Sequence, residues 1–267
     1  MSLHCQRIEP PYFTPDTPWL VLLHGLLGSG DDWQALCPLL SEWPILRVDL
    51  PGHGASVSMR VRNFSEMRQQ LALTLCAQGI NRYWLIGYSL GGRIAMDFAA
   101  SSMGEKATGL LGLLVEGGNP GLSDNVQRQA RMDHDARWAE RFRREPLSAV
   151  LADWYRQGVF ADLTDEARQK LITVRSRNDA TGVADMLEAT SLGRQPWLLD
   201  AVLRIGLPFG YLCGEQDQKF QAIAQTYRLP LLSIAFAGHN AHRANPTDYA
   251  QQIRSFITSP KAAQAQG

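Results

Sequence analysis

The chain has 267 residues, with 26 lysines and arginines balanced by 26 acidic side chains. That balance provides no electrostatic handle for nucleic acid or for an anionic membrane surface. An apolar fraction of 45% is that of a globular protein, and the length suits one large domain or a domain carrying an insertion. The four cysteines, Cys5, Cys37, Cys76 and Cys213, form no Cys-x-x-Cys pair and no metal spacing, so they read as reduced, buried thiols. The N-terminus lacks a charged region followed by an apolar one, and the apolar run 19–27 is interrupted by His24 and Gly25 and too short to span a bilayer. A cytoplasmic protein is the expectation.

Residues 3–8 predict a short edge strand, after which Pro10, Pro11, Pro15 and Pro18 keep the chain irregular. The unbroken apolar run Trp19–Leu23 predicts a strand buried on both faces. It ends in the turn His24-Gly25-Leu26-Leu27-Gly28. A His-Gly turn after a buried strand is a place for one oxyanion-hole N–H, here that of Leu26. His24 itself reads as a loop-packing residue. Residues 31–40 predict a short helix and 45–50 a second buried strand, closed by Asp49-Leu50-Pro51-Gly52-His53-Gly54, where His53 reads as a turn stabiliser. Ser65 is positioned to N-cap a helix with Met67, Leu71 and Leu75 on one face, and Gly79 suits the residue after its C-terminus.

The next stretch organises the rest. An apolar run ending at Ile86 leads into Gly87-Tyr88-Ser89-Leu90-Gly91-Gly92-Arg93, and Leu90, Ile94 and Phe98 then recur at helical spacing. Strand, Gly-x-Ser-x-Gly, helix is the pattern of a nucleophile elbow. The serine sits in a strained turn that lifts its hydroxyl above the sheet edge, and small neighbours admit that turn. The new helix adds free N–H groups and a positive dipole end beside it.

A further buried strand, 110–115, ends in Glu116-Gly117-Gly118-Asn119-Pro120-Gly121. Strands alternating with helices predict a mostly parallel sheet whose ligands gather at the strands' carboxyl ends. From 125 to about 194 the buried strand-like runs disappear. Arginine, acidic residues and tryptophan interleave in amphipathic helices that pair Trp138 with Phe142, Leu147 with Val150, Leu151 and Trp154, and Leu171 with Val174, with Pro146 at a helix N1 position. The expected organisation is a core of 1–122 and 196–258, an all-helical cap of 123–195 and a flexible tail of 259–267. Strands resume at 207–213, ending in Gly214-Glu215-Gln216-Asp217, and at 231–236, ending in Ala237-Gly238-His239. A last helix starts near Asn245 and Pro246, with Tyr249, Ile253 and Phe256 on one face.

A serine hydroxyl needs an imidazole to take its proton, and the imidazole needs a carboxylate to fix its tautomer. Ser89, Asp217 and His239 occur in the α/β-hydrolase order, with acid and base each on a loop after a late strand. Glu215 and, more remotely, Glu116 compete as the acid, and His242 competes as the base.

On these residues the sequence resembles the α/β-hydrolase superfamily over nearly its whole length. More narrowly it resembles the 2-succinyl-6-hydroxy-2,4-cyclohexadiene-1-carboxylate (SHCHC) synthases of menaquinone biosynthesis. The widely shared stretches are 48–54 and 87–93. More specific are 115–122, Glu145-Pro146-Leu147 with Ala152-Asp153-Trp154-Tyr155, 186–192, 211–215 with Asp217, and Ala237-Gly238-His239-Asn240-Ala241-His242-Arg243. One departure is Leu26-Leu27, where family members carry Phe-Ser; a backbone N–H donor does not depend on it. The resemblance implies a carbon–oxygen lyase that eliminates pyruvate from 2-succinyl-5-enolpyruvyl-6-hydroxy-3-cyclohexene-1-carboxylate. The triad would abstract a carbon-bound proton, with backbone donors at Leu26 and Leu90 stabilising the developing oxyanion. It also implies Arg93, Arg131 and Arg175 as partners for the three substrate carboxylates, with Tyr88 and Trp154 completing the pocket. No cofactor or metal is called for, the small tricarboxylate is the only expected partner, and a monomer is expected. Two other readings stand beside it: a carboxylester or carbon–carbon bond hydrolase using the same triad, and a non-catalytic binding member of the fold.

Overall fold

The computed structural model describes residues 2–101, 109–259 and 262. Seven strands, β1 (Cys5–Ile8), β2 (Trp19–Leu23), β3 (Ile45–Val48), β4 (Tyr83–Tyr88), β5 (Leu110–Glu116), β6 (Phe209–Gly214) and β7 (Leu231–Ile234), form one sheet in the order β1-β3-β2-β4-β5-β6-β7. Only β1 is antiparallel, paired to β3; the remaining pairs are parallel. The continuous apolar runs are sorted by the strand's period of two into two cores. Val21, Leu23, Leu85, Val115 and Tyr211 point into one, against Leu71 of α1 (Phe64–Ala77) and Ile94 of α2 (Leu90–Ser101). Leu20, Leu22, Trp84, Ile86 and Leu212 point into the other.

Local chemistry shifts several expected boundaries. Helix α1 is capped by Asn63, not Ser65: Asn63 is extended and accepts from the Glu66 N–H at 2.9 Å, while Glu66 reaches back to the Arg62 N–H at 2.9 Å. Ser65 lies inside the first turn. Gly79 does follow the helix end, with positive φ, and Ile80 N–H closes on the Leu75 carbonyl. The helix expected over 31–40 is two 3-10 turns, Gly30–Trp33 and Cys37–Leu40, because Pro38 has no N–H with which to continue a helical ladder. Strand β3 stops at Val48, since the Asp49 carboxylate turns inward to accept the N–H groups of Gly30 (2.7 Å) and Ala55 (2.9 Å).

The chain between β5 and β6 is helical: α3 (Asn125–Arg144), α4 (Leu147–Trp154), a 3-10 turn at Gly158–Phe160, α5 (Asp165–Arg175), α6 (Ala180–Ala189) and the short α7 (Leu199–Arg204). Phe142, Val150, Leu151, Leu171, Ile172 and Leu187 form a third core with Leu27 from the loop after β2. Two details differ from expectation. Pro146 occupies the N-cap of α4 rather than N1, and Val174 is 48% exposed instead of packing with Leu171. After β6 come α8 (Gln218–Thr226), then α9 (Ala241–Ala244) and α10 (Pro246–Ile257), which presents Tyr249 and Ile253 to the second core. Most of the expected tail lies outside the described residues. Among the described residues no helix is long and apolar enough to cross a membrane.

A buried ion cluster ties this helical insertion to the sheet edge. Asp32 Oδ1 accepts from Arg175 on α5 at 2.6 Å and from Arg243 on α9 at 2.8 Å. Burial acts to raise the Asp32 carboxyl pKa, but Arg175, His242 and Arg243 outweigh it and hold the group below the usual carboxylate range. A depressed folded-state pKa means stability that is complete above the ordinary carboxylate range and lost as pH falls through the folded value. Removing one member of a buried pair strands the other charge, at a cost of about 3–5 kcal/mol. Asp32→Asn is therefore expected to lower the urea midpoint clearly at pH 7, with the gap to wild type closing on acidification. Equal midpoints at pH 7 would show that the cluster does not stabilise the fold.

Candidate active site

Strand β4 is hydrogen-bonded on both sides and ends at Tyr88. Ser89 follows with φ of 49°, a left-handed backbone that a non-glycine residue adopts only under constraint. The constraint is close packing. A Cβ on Gly87 would lie 2.4 Å from the Gly91 carbonyl oxygen, and one on Gly91 would lie 2.2 Å from that of Leu23. The two glycines let α2 begin against the end of β2, and Ser89 N–H is held by the Glu116 carbonyl at 2.8 Å.

Asp217 and His239 come from the loops after β6 and β7. One Asp217 oxygen caps α8 by accepting the Phe220 N–H at 3.2 Å, and the other accepts from His239 Nδ1 at 2.7 Å. A carboxylate only accepts, so the proton is on Nδ1 and Nε2 is left as the basic nitrogen. The Phe220 ring lies parallel to the imidazole at 4.8 Å. Ser89 and His239 both line a cavity of about 500 Å³ between the strand ends and the helical insertion.

The competing groups are occupied elsewhere. Glu215 accepts the Phe236 N–H at 3.2 Å at the surface. Glu116 is bound to His242 Nδ1 at 2.7 Å, and that pair is buried beneath the elbow, outside the cavity lining. His24 donates from Nδ1 to the Gly25 carbonyl and accepts the Leu50 N–H at Nε2. His53 donates to Pro51 and accepts the Leu27 N–H. Burial lowers both pKa values, that of His53 to about 3, with His24 adding to the shift. These two neutral rings shape the loop after β2. Leu27 N–H is thereby spent, while the N–H groups of Leu26 and Leu90 have no partner among the described residues, and both residues line the cavity. Among the described residues no group of three His, Cys, Asp or Glu side chains is arranged to hold a metal.

A family model described as "Alpha/beta hydrolase family" matches residues 20–252. The chain belongs to the alpha/beta hydrolase family. It is 56% identical over 246 residues, 92% of this chain and 96% of the relative, to the 2-succinyl-6-hydroxy-2,4-cyclohexadiene-1-carboxylate synthase of Pectobacterium atrosepticum. It is 53% identical over 261 residues, 96% and 95% of the two chains, to the protein of that name from Yersinia pseudotuberculosis. Among solved structures, MenH from S. aureus superposes with a TM-score of 0.86 at 24% identity over 99% of both chains. A malate-bound esterase from Thermogutta terrifontis superposes with a TM-score of 0.79 at 21% identity, over 99% of this chain and 94% of the other. At those identities the two structures share the fold.

In this alpha/beta hydrolase, Arg93, Arg131 and Trp154 line the cavity with Ser89. Arg93 donates to the Thr190 carbonyl at 2.8 Å, and burial together with the Arg131 charge pushes its pKa down to about 9. Arg131 is oriented by Asp135 at 2.8 Å, and Asp135 in turn accepts from Ser191 at 2.8 Å. Trp154 stands against Trp138, ring centroids 5.0 Å apart. Two further expected residues lie outside the lining. Arg175 is absent from the lining because its guanidinium is committed to Asp32. Tyr88 is also absent from it: its hydroxyl donates to Asn240, and its ring lies between those of His239 (5.2 Å) and His242 (4.6 Å). It is the last residue of β4, one before the serine, and is buried as part of the second core. Sequence reasoning missed Phe160, Lys219 and Phe220 in the lining. The last two were within reach, as the first turn of a helix capped by the candidate acid.

For a triad acting as a unit, Ser89→Ala, His239→Ala and Asp217→Asn are each expected to lower kcat by about 10³-fold or more with little change in thermal midpoint. Glu215→Gln is expected to leave kcat unchanged. A near-normal kcat for Asp217→Asn, with loss in Glu215→Gln, would transfer the acid role.

Proposed function

We propose that this chain is an SHCHC synthase: a carbon–oxygen lyase of menaquinone biosynthesis that eliminates pyruvate from 2-succinyl-5-enolpyruvyl-6-hydroxy-3-cyclohexene-1-carboxylate. The observation that carries the reading is the 56% identity to a protein of that name over 92% of the chain. The cationic lining of the cavity supports it, since the substrate carries three carboxylates and an ester cleft has no need of several arginines.

The chemistry follows from the two ring names. A 3-ene becomes a 2,4-diene, so the proton lost is on ring carbon 2, beside the succinyl carbonyl. Ser89 takes that proton, its own hydroxyl proton having passed to His239 Nε2, and Asp217 stabilises the imidazolium. The electron pair forms the 2,3 double bond, the 3,4 double bond shifts to 4,5, and the bond from carbon 5 to the enolpyruvyl oxygen breaks. Pyruvate leaves as its enolate and is protonated at carbon, which balances the proton withdrawn. Charge building on the succinyl carbonyl oxygen meets the N–H groups of Leu26 and Leu90, in the way oxyanion donors work. Serine acts here as a base and no acyl-enzyme forms. Arg93 and Arg131 bind carboxylates, and Trp154 walls the ring.

The test is pyruvate release from the enolpyruvyl substrate, followed with lactate dehydrogenase. The expected outcome is pyruvate formation with little or no burst on p-nitrophenyl acetate. Efficient burst hydrolysis of that ester without pyruvate formation would establish the esterase reading instead. Charge-assisted bonds of a few kcal/mol imply a loss of roughly ten- to a thousandfold in kcat/KM for Arg93→Ala or Arg131→Ala. Arg131→Lys should recover part of it, because lysine keeps the charge and lacks the fork. The exposed Arg137→Ala is the control. Values for all three alanine variants within twofold of wild type would remove the arginines from substrate binding.

A further inference from the structure

Lys219 is the cation of the cavity lining that the triad and the arginines leave unexplained. It lines the cavity together with Ser89, His239, Arg93 and Arg131. It is the second residue of α8, two positions after the cap residue Asp217. That position is unfavourable for a lysine, since the first turn of a helix carries partial positive charge. Its second disadvantage is Arg131, which faces it across the cavity closely enough to depress its pKa further, after burial has already lowered it; Asp217 acts in the opposite sense. Among the described residues no carboxylate lies within ion-pair distance of its ammonium, whose recorded contact is the Phe220 ring at 5.4 Å. Arg131, by contrast, is partly neutralised by Asp135, the one carboxylate in the lining among the described residues. A cation placed at the positive end of a helix, opposite a second cation and without a counter-ion, is a local conflict of the kind that marks a ligand site. An anion between the two cations resolves it.

We propose that Lys219 and Arg131 together seat one carboxylate of the substrate, so that Lys219 supplies, beside Arg93 and Arg131, the third cationic position that the family resemblance assigned to Arg175. This deepens the lyase reading and rests on it for the identity of the ligand. Because Lys219 is separated from Asp217 by a single residue, and Phe220 stacks on His239, the seat is rigidly referenced to the base. A carboxylate held there fixes where the ring stands relative to Nε2. Arg131 of α3 and Asp217 of the loop after β6 act on the ammonium, and the other titratable or charged groups sharing the lining with it are Arg93 of α2, His134 and Asp135 of α3, and His239 of the loop after β7.

The experiment compares wild type, Lys219→Met and Lys219→Arg. In the pyruvate assay, Lys219→Met is expected to lower kcat/KM ten- to a hundredfold, mainly through KM, and Lys219→Arg to recover most of the loss. Added salt should weaken wild-type capture more than that of Lys219→Met, and the alkaline fall of kcat/KM below the ordinary lysine range should disappear in Lys219→Arg. Binding of the intact substrate is measured separately by tryptophan fluorescence in Ser89→Ala and in Ser89→Ala with Lys219→Met, where no turnover occurs. Wild-type pyruvate release with kcat/KM of Lys219→Met within twofold of wild type overturns the proposal and leaves the lyase reading standing. Weaker binding in the double variant, with no pyruvate from wild type, overturns the lyase reading and leaves the carboxylate seat. Equal dissociation constants for the two Ser89→Ala proteins overturn the seat directly.

Discussion

The site depends on a single backbone constraint, the left-handed conformation of Ser89. A residue with a Cβ pays roughly 1–2 kcal/mol for that conformation, so it persists only where the surroundings over-determine it. Here three features do so. Strand β4 is paired on both sides up to the turn, the Glu116 carbonyl holds Ser89 N–H, and the Gly87 and Gly91 contacts leave no room for α2 to sit differently. The same close approach starts α2 at Leu90, directly after the serine, and brings Gly25 of the loop after β2 against Ser89, with Leu26 in the same cavity lining. The candidate serine and the candidate oxyanion donors are therefore consequences of one packing arrangement.

Around that turn, hydrogen-bond partners and position separate four buried histidines of identical chemistry. His24, His53, His239 and His242 all cluster near the carboxyl edge of the sheet, and each is nearly inaccessible. His24 and His53 spend both nitrogens on backbone groups of neighbouring loops. His242 is paired to Glu116 below the elbow, in contact with the Trp33 ring at 4.5 Å. His239 alone among these four lines the cavity while its Nδ1 is held by a carboxylate. Position relative to the cavity decides which imidazole is available to a ligand there.

The helical insertion follows the same logic with charge. Its arginines are mostly consumed by acids of the same segment or of the core: Arg141 by Glu145 and Asp153, Arg143 by Asp185 and Glu188, and Arg175 by Asp32. The first two sets of pairs knit the insertion together and the third ties it to the core, and none of these three arginines lines the cavity. The cations that do line it are those held by backbone carbonyls, as Arg93 is, partly balanced, as Arg131 is, or left without a counter-ion, as Lys219 is.

Local sequence determined the strands, the elbow and the order of the candidate triad. Unbroken apolar runs have to be buried on both faces, and the Gly-x-Ser-x-Gly turn follows from the close backbone approach that only a residue without a Cβ admits on either side of the serine. The loops after β6 and β7 then carry Asp217 and His239 to one edge because parallel strands end on the same side. What composition and spacing could not decide was partner choice. Arg175 and Arg131 are both basic residues on amphipathic helices, and only the fold sets one against Asp32, 143 positions away in the chain, and the other beside the cavity. Tyr88 adjoins the serine in sequence yet faces the interior, and Lys219 stood unremarked beside the candidate acid. The energy of a charge depends on what is within a few ångströms of it, and for these residues that is set by chain segments far away in the sequence.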